Sequence, residues 1–157
     1  MKIPMTSEGI DRLDSELNEL IVVKRREVSA AIGEARLVGG EISENIEYSM
    51  AKDLQAQIEA KIEQLSELRL KVDLMNIAHM KDDIVNICSY VTMVDDSDEE
   101  KTYRMVCEYE ASIENGYLSI TSPLGIALMG KEVGDDIEVV APNGDKYYNI
   151  TKISNNP

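Results

Sequence analysis

The chain has 157 residues, enough for one domain or for two small ones whose cores would be near the lower limit of self-sufficiency. Its 30 acidic and 16 basic residues give a formal net charge of -14, which opposes attraction to phosphate backbones and predicts no stable independent nucleic-acid binding. Two cysteines, Cys88 and Cys107, are too few for a disulfide framework or a metal site. No stretch is apolar enough for a signal peptide or a membrane span, so we expect a cytoplasmic protein without membrane contacts.

The first predicted element is a long helix. Thr6 or Ser7 can cap its start, and the glycine pair Gly39-Gly40 ends it because glycine has low helix propensity. We expect no interruption between these points. The apolar residues that recur at helical spacing are Ile10, Leu13, Leu17, Leu20, Val28, Ala31, Ile32 and Ala35.

A second long helix follows a short acidic stretch, Gly39-Gly40-Glu41-Ile42-Ser43-Glu44-Asn45, which we call the tip. Ser43 is a suitable N-cap for this helix. Because the connection is short, the two helices are predicted to pack antiparallel as a hairpin that forms the first domain, residues 1–76. Its predicted core seam consists of Met50, Leu54, Ile58, Ile62, Leu65, Leu68, Val72 and Met75.

The second half of the chain, residues 77–157, has the pattern of a small α+β domain. Two turn-forming clusters, Asp95–Asp98 and Pro142–Asp145, separate pairs of predicted strands. Ser122–Gly130 is predicted to be a short helix that Gly130 ends. The predicted strands are Ile84–Met93, Glu100–Glu108, Tyr117–Thr121, Asp136–Val140 and Lys146–Ile153.

Several blocks, found in order over essentially the whole chain, together resemble the Gre family of bacterial transcript-cleavage factors, which act on RNA polymerase. No single block is specific, but the set is. The blocks are Ile3-Pro4-Met5-Thr6 with Gly9 and Leu13, Glu34-Ala35-Arg36, Ser43-Glu44-Asn45-Ile46-Glu47-Tyr48, Ile120-Thr121-Ser122-Pro123-Leu124-Gly125, Gly130-Lys131-Glu132-Val133-Gly134-Asp135 and Pro142-Asn143-Gly144.

The resemblance implies a coiled-coil hairpin joined to a domain shaped like an FK506-binding protein. The globular domain would dock at the rim of the polymerase secondary channel, and the hairpin would enter it. Glu41 and Glu44 would then help to hold the second Mg²⁺ and the attacking water beside the backtracked RNA 3′ end. The polymerase itself would hydrolyse the RNA, so the resemblance implies a monomeric factor that is not an enzyme and binds no cofactor tightly, sharing only the Mg²⁺ of the polymerase.

Other residues near the tip take implied roles from the same resemblance. Asn45, Glu47 and Tyr48 would shape the tip by capping and packing. Arg36 and Lys52 resemble basic positions that help to hold the RNA 3′ segment; alternatively they are ordinary salt-bridge partners on a helix face.

In the globular domain, Ser122, Pro123 and Leu124 match the segment that contacts the polymerase rim in the family. The same three residues also fit a helix start, with Ser122 as the N-cap and Pro123 at the first position. The two interpretations are compatible.

The tip departs from the family pattern in two respects. Glu41 stands where an aspartate is usual, and one glycine of the pair is an extra residue. A channel-binding regulator with weakened or lost cleavage stimulation is therefore the first alternative. A prolyl isomerase or chaperone would need an aromatic-lined pocket, which a chain with no Trp and no Phe does not favour. A structural coiled-coil oligomer is the third alternative.

Overall fold

The computed structural model describes residues 2–38, 45–74 and 82–155. The contacts divide the chain into two compact units, Ile10–Val72 on one side and Lys2–Gly9 with Asp73–Pro157 on the other. The predicted boundary between residues 76 and 77 lies outside the described residues. The N-terminal segment Lys2–Gly9 was predicted in the first domain, but its contacts are with the second unit.

The first unit is an antiparallel helical hairpin. One arm consists of α1 (Ser7–Asn18), a π-helical segment (Glu19–Lys24) and α2 (Arg25–Leu37), and the other arm is α3 (Ile46–Lys71). Two ion pairs join the arms: Asp14 Oδ1 accepts from Arg69 Nε at 2.6 Å, and Glu59 Oε1 accepts from Arg25 Nε at 2.7 Å. Asp14 pairs with Arg69, whereas Arg25, which is later on the first arm, pairs with Glu59, which is earlier on the second arm. The arms therefore run in opposite directions.

The π-helical segment Glu19–Lys24 corrects the prediction of an uninterrupted α-helix. Val28 follows Leu20 by eight positions, whereas two turns of α-helix take up about 7.2 residues. The wider π turn, with its i→i+5 hydrogen bonds, absorbs the extra residue. Leu20 therefore packs against the buried cluster of Val28, Ile58 and Ile62.

The predicted seam of α3 is correct in its middle and wrong near the tip. Ile58, Ile62 and Leu65 are buried, but Met50 is 66% exposed and Leu54 is 49% exposed. A step of four residues turns a helix by about 40° beyond a full circle, so two such steps back from Ile58 carry Met50 away from the core face. Ala51, seven residues before Ile58, lies on the core face instead and is buried.

The second unit contains a five-stranded sheet made of β3 (Tyr90–Asp95), β4 (Glu100–Val106), β5 (Tyr117–Ser119), β6 (Asp136–Val139) and β7 (Lys146–Ser154). The strand order is β5-β4-β3-β7-β6. Only β4 and β5 pair in parallel; the other neighbours are antiparallel. A short helix, α4 (Pro123–Leu128), packs against the core of this sheet through Leu124, Ala127 and Leu128. A separate two-stranded sheet pairs β1 (Ile3–Met5) with β2 (Val72–Leu74).

The first predicted strand of this unit begins later than expected. Ile84 forms only an isolated bridge with Glu132, and β3 starts at Tyr90. The reason is a turn in which the backbone N–H of Asn86 donates to Ser89 Oγ at 3.1 Å while Cys88 adopts a φ of 69°. This turn leaves the two-part α+β architecture unchanged, and the structure confirms that architecture.

Candidate functional site

The two carboxylates predicted to act at the tip, Glu41 and Glu44, lie outside the described residues. What the structure describes is the pair of helix ends that carry the tip. Helix α2 ends at Leu37 and helix α3 begins at Ile46. The candidate site is therefore built from the side chains at these two ends.

Asn45 connects the two helix ends through the oxygen and the nitrogen of its carboxamide. Its Oδ1 accepts a hydrogen bond from the backbone N–H of Tyr48 at 3.0 Å, which makes Asn45 the N-cap of α3. Its Nδ2 donates to the backbone carbonyl of Ala35, in the last turn of α2, at 2.7 Å. The N-cap of α3 is therefore Asn45 and not the predicted Ser43. The bond from Asn45 to Ala35 also fixes the register between the two arms.

Arg36, Tyr48 and Lys52 come together at the same end of the hairpin. The guanidinium carbon of Arg36 is 5.7 Å from the centroid of the Tyr48 ring, which is a cation–π distance. Arg36 beside the hydroxyl, and Lys52 to a smaller extent, lower the pKa of Tyr48. Lys52 follows Tyr48 by four residues, so the two side chains share one face of α3.

The observed partners of these basic residues bear on their alternative roles. Lys52 Nζ donates to Gln55 Oε1 at 3.1 Å, and Arg36 contacts an aromatic ring. Within residues 2–38, 45–74 and 82–155, neither forms an ion pair with a carboxylate. Glu47, in the first turn of α3, is exposed and favourably placed for the helix dipole.

The segment Ser122–Leu124 forms the predicted helix start. Ser122 Oγ accepts from the backbone N–H of Gly125 at 3.0 Å and donates to the carbonyl of Ser119 at 2.6 Å. Pro123 is exposed, whereas Leu124 packs against the sheet core. At Gly125, the last residue of the matching family block, a Cβ would overlap the Ser119 carbonyl oxygen, so the position requires glycine. Of the three predicted docking residues, Pro123 is the most exposed to solvent.

Sequence reasoning missed Glu110, a carboxylate that is only 7% exposed. It accepts hydrogen bonds from the hydroxyl of Thr6 and, at 3.4 Å, from the backbone N–H of Thr6. Thr6 in turn accepts from the N–H of Gly9 at 3.0 Å and so caps α1. A Cβ at Gly9 would overlap the Glu110 carboxylate, so a larger residue there would displace this buried side chain. Glu110 thus attaches the N-terminal segment to its own unit.

Both cysteines are buried. Burial raises the pKa of Cys88 to about 11 and also raises the pKa of Cys107, whose Sγ lies 3.8 Å from Glu110 Oε2. Thiols that stay protonated are poor nucleophiles and poor metal ligands. Their environment is therefore that of structural cysteines.

In the part of the chain that the structure describes, no three His, Cys, Asp or Glu side chains form a group that could hold a metal ion. The same part contains no helix with the length and apolar composition needed to span a bilayer. The predicted metal contacts, Glu41 and Glu44, lie outside that part and stay a prediction.

Comparison with known proteins gives consistent matches over both units. Residues 3–71 match the family model "Transcription elongation factor, N-terminal", and residues 80–155 match "Transcription elongation factor, GreA/GreB, C-term". The transcription elongation factor GreA of Paracoccus denitrificans is 46% identical over 153 residues, covering 97% of each chain. That of Rhodospirillum rubrum is 42% identical with the same coverage. Among solved structures, GreA factor homolog 1 of Thermus thermophilus is 23% identical with a TM-score of 0.45, covering 98% of this chain and 99% of that one.

Proposed function

The chain belongs to the GreA/GreB family of transcription elongation factors, and we propose that it stimulates the cleavage of backtracked RNA by RNA polymerase. The observation that carries this proposal is the family match over both units, residues 3–71 and 80–155, combined with an antiparallel hairpin whose two arms end on either side of an acidic tip. The hairpin would enter the secondary channel of the polymerase, and the second unit would remain at its rim.

In this proposal the protein supplies ligands and the polymerase supplies the hydrolytic site. Mg²⁺ prefers oxygen ligands and is often held by one or two carboxylates together with phosphate oxygens. Glu41 and Glu44 would complete the site of the second Mg²⁺ only while the hairpin occupies the channel. Cleavage would then occur only when the RNA 3′ end has backtracked into reach of that site.

The first test is transcript cleavage by purified polymerase in stalled, backtracked complexes with labelled RNA. Glu44→Ala is expected to abolish the stimulation while leaving polymerase binding intact, and Glu41→Ala is expected to reduce it. Glu63→Ala, which removes an exposed acid far along α3, serves as the matched control and should have no effect. Stimulation by Glu44→Ala equal to that of the unaltered protein would refute the tip assignment.

The docking role proposed for Ser122, Pro123 and Leu124 is tested separately. Pro123→Glu places an acid in the first turn of α4, where the helix dipole tolerates it, so the fold should be preserved. The added charge on an exposed position should weaken binding to the polymerase. Unchanged binding affinity would place the docking surface elsewhere.

The second candidate function is a channel-binding regulator that does not stimulate cleavage. The features that favour it are the glutamate at position 41 and the extra glycine of the tip. Misplacing a catalytic group by about 1 Å can lower a rate on the order of a hundredfold. Polymerase binding without any stimulation of cleavage would support this candidate and exclude the first.

A further inference from the structure

Tyr48 lies close to Asn45, whose side chain links the two arms of the hairpin. The carboxamide of Asn45 bonds to the carbonyl of Ala35 on one arm and to the N–H of Tyr48 on the other, at 2.7 and 3.0 Å. Ala35 is buried, so packing also restrains this end of α2. Arg36 is the next residue on that arm. The backbone positions of Arg36 and Tyr48 are thus set relative to each other by one side chain.

The side chains of this pair meet as well. The Arg36 guanidinium lies 5.7 Å from the centroid of the Tyr48 ring, and it also lowers the pKa of the Tyr48 hydroxyl. An exposed arginine has many rotamers, and ordering them costs entropy. A ring held at a fixed position on the neighbouring arm limits those rotamers before any ligand arrives. The contact therefore preorganises the guanidinium.

The local charge indicates what such a guanidinium would bind. The chain has a net charge of -14, yet within the described residues Arg36 and Lys52 have no carboxylate partner beside the tip. Lys52 lies on the same face of α3 as Tyr48. A planar guanidinium and a neighbouring ammonium suit the oxygens of a phosphate group.

We infer that Tyr48 is a positioning residue that holds the Arg36 guanidinium against the phosphates of the backtracked RNA 3′ segment. The inference rests on the proposed function and deepens it, since it assigns a role to a side chain that sequence reasoning placed among the capping and packing residues. Tyr48 acts through Arg36 and does not touch the reacting atoms.

A purely structural role for Tyr48 can be separated from this one. Its contribution to the N-cap of α3 is its backbone N–H, which every substituted residue except proline retains. Tyr48→Leu removes the ring and the hydroxyl while keeping the cap, and Tyr48→Phe removes only the hydroxyl. Tyr147→Leu removes a tyrosine of the second unit that is 48% exposed and donates to Glu138 at 3.3 Å, and it serves as the control.

The experiment measures the maximal cleavage rate and the half-saturating factor concentration in backtracked complexes. Tyr48→Leu should lower the maximal rate about two- to fivefold, the factor that corresponds to an exposed cation–π contact. The half-saturating concentration should stay the same because docking rests on other residues. Tyr48→Phe should keep more than half of the rate, and Tyr147→Leu should keep all of it.

A double-mutant cycle with Arg36→Ala decides between the two roles. If Tyr48 acts through Arg36, Tyr48→Leu has no further effect once Arg36 is alanine. Full activity of Tyr48→Leu, or effects of the two substitutions that simply multiply, would overturn the inference while leaving the proposed function in place. Absence of stimulation by the unaltered protein would instead overturn the proposed function and the RNA role of Tyr48 with it.

Discussion

Replacing Asn45 by alanine removes two hydrogen bonds from the end of the hairpin next to the tip. Loss of the N-cap bond to the Tyr48 N–H costs about 1 kcal/mol. Loss of the bond to the carbonyl of Ala35 costs about 1 kcal/mol more, the usual net contribution of one hydrogen bond, since that carbonyl still accepts from the Val38 N–H at 3.4 Å. The sum of about 2 kcal/mol corresponds to a roughly thirtyfold change in the equilibrium for local opening.

Hydrogen exchange on the full chain measures this equilibrium directly. The amide protons of residues 48–52 report opening of the first turns of α3, and their protection factors should fall roughly thirtyfold in Asn45→Ala. Asn45→Ser is the matched variant, because serine caps a helix about as well but lacks the amide donor. Its protection factors should fall only about fivefold, the share of the bond to Ala35.

The amides of residues 58–65, in the middle of α3, provide the internal reference and should exchange at the same rate in all three proteins. Protection at residue 48 that changes less than about twofold in Asn45→Ala would refute the cap and the cross-arm bond together. Equal losses in the alanine and serine variants would refute the capping part and keep the bond to Ala35.

The other predictions concern stability and thiol chemistry. Gly9→Ala should lower the free energy of unfolding by about 1–3 kcal/mol in urea titrations, because the new methyl group overlaps the Glu110 carboxylate; an unchanged midpoint would contradict that close approach. Cys88, with its pKa raised to about 11, should react with a thiol reagent at pH 8 far more slowly than an exposed cysteine and should reach the normal rate only in denaturant. Arg25 lowers the pKa of Glu59, so this pair stabilises the hairpin above the unfolded-state pKa of the carboxyl, and its contribution is lost as the pH falls through the folded-state value. The stability difference between Arg25→Ala and the unaltered protein should accordingly vanish at acidic pH.

Both parts of the fold could be predicted because their patterns are strong and local. The 3.6-residue periodicity around Ile58, Ile62 and Leu65 predicts the buried face of α3, and the structure confirms it. The Asp95–Asp98 turn was also predictable, because aspartate side chains bond to backbone N–H groups a few residues on. In the structure, Asp95 Oδ1 accepts from the N–H groups of Ser97 and Glu99 at 2.8 and 3.0 Å. In each case the residues that determine the structure are close in sequence.

Two of the features that prediction missed, the N-cap Asn45 and the buried Glu110, depend on contacts between distant residues. Serine and asparagine are equally good N-caps, so the choice of Asn45 over Ser43 is decided by the Ala35 carbonyl on the other arm. Glu110 has no distinguishing local pattern, because its partner Thr6 lies 104 residues earlier in the chain. The π-helical segment did leave a signal, the step of eight positions from Leu20 to Val28, which an interpretation based on a continuous helix passes over.

Two of these missed features, Asn45 and the π-helical segment, bear directly on the placement of the tip. Each residue of an α-helix adds about 1.5 Å along its axis, so a slip of one residue between the arms exceeds the roughly 1 Å that catalytic placement tolerates. The π-helical segment keeps Leu20 in phase with the core, and Asn45 fixes the register at Ala35. If the carboxylates act inside the polymerase as proposed, their position depends on these two features of the arms as well as on the composition of the tip itself.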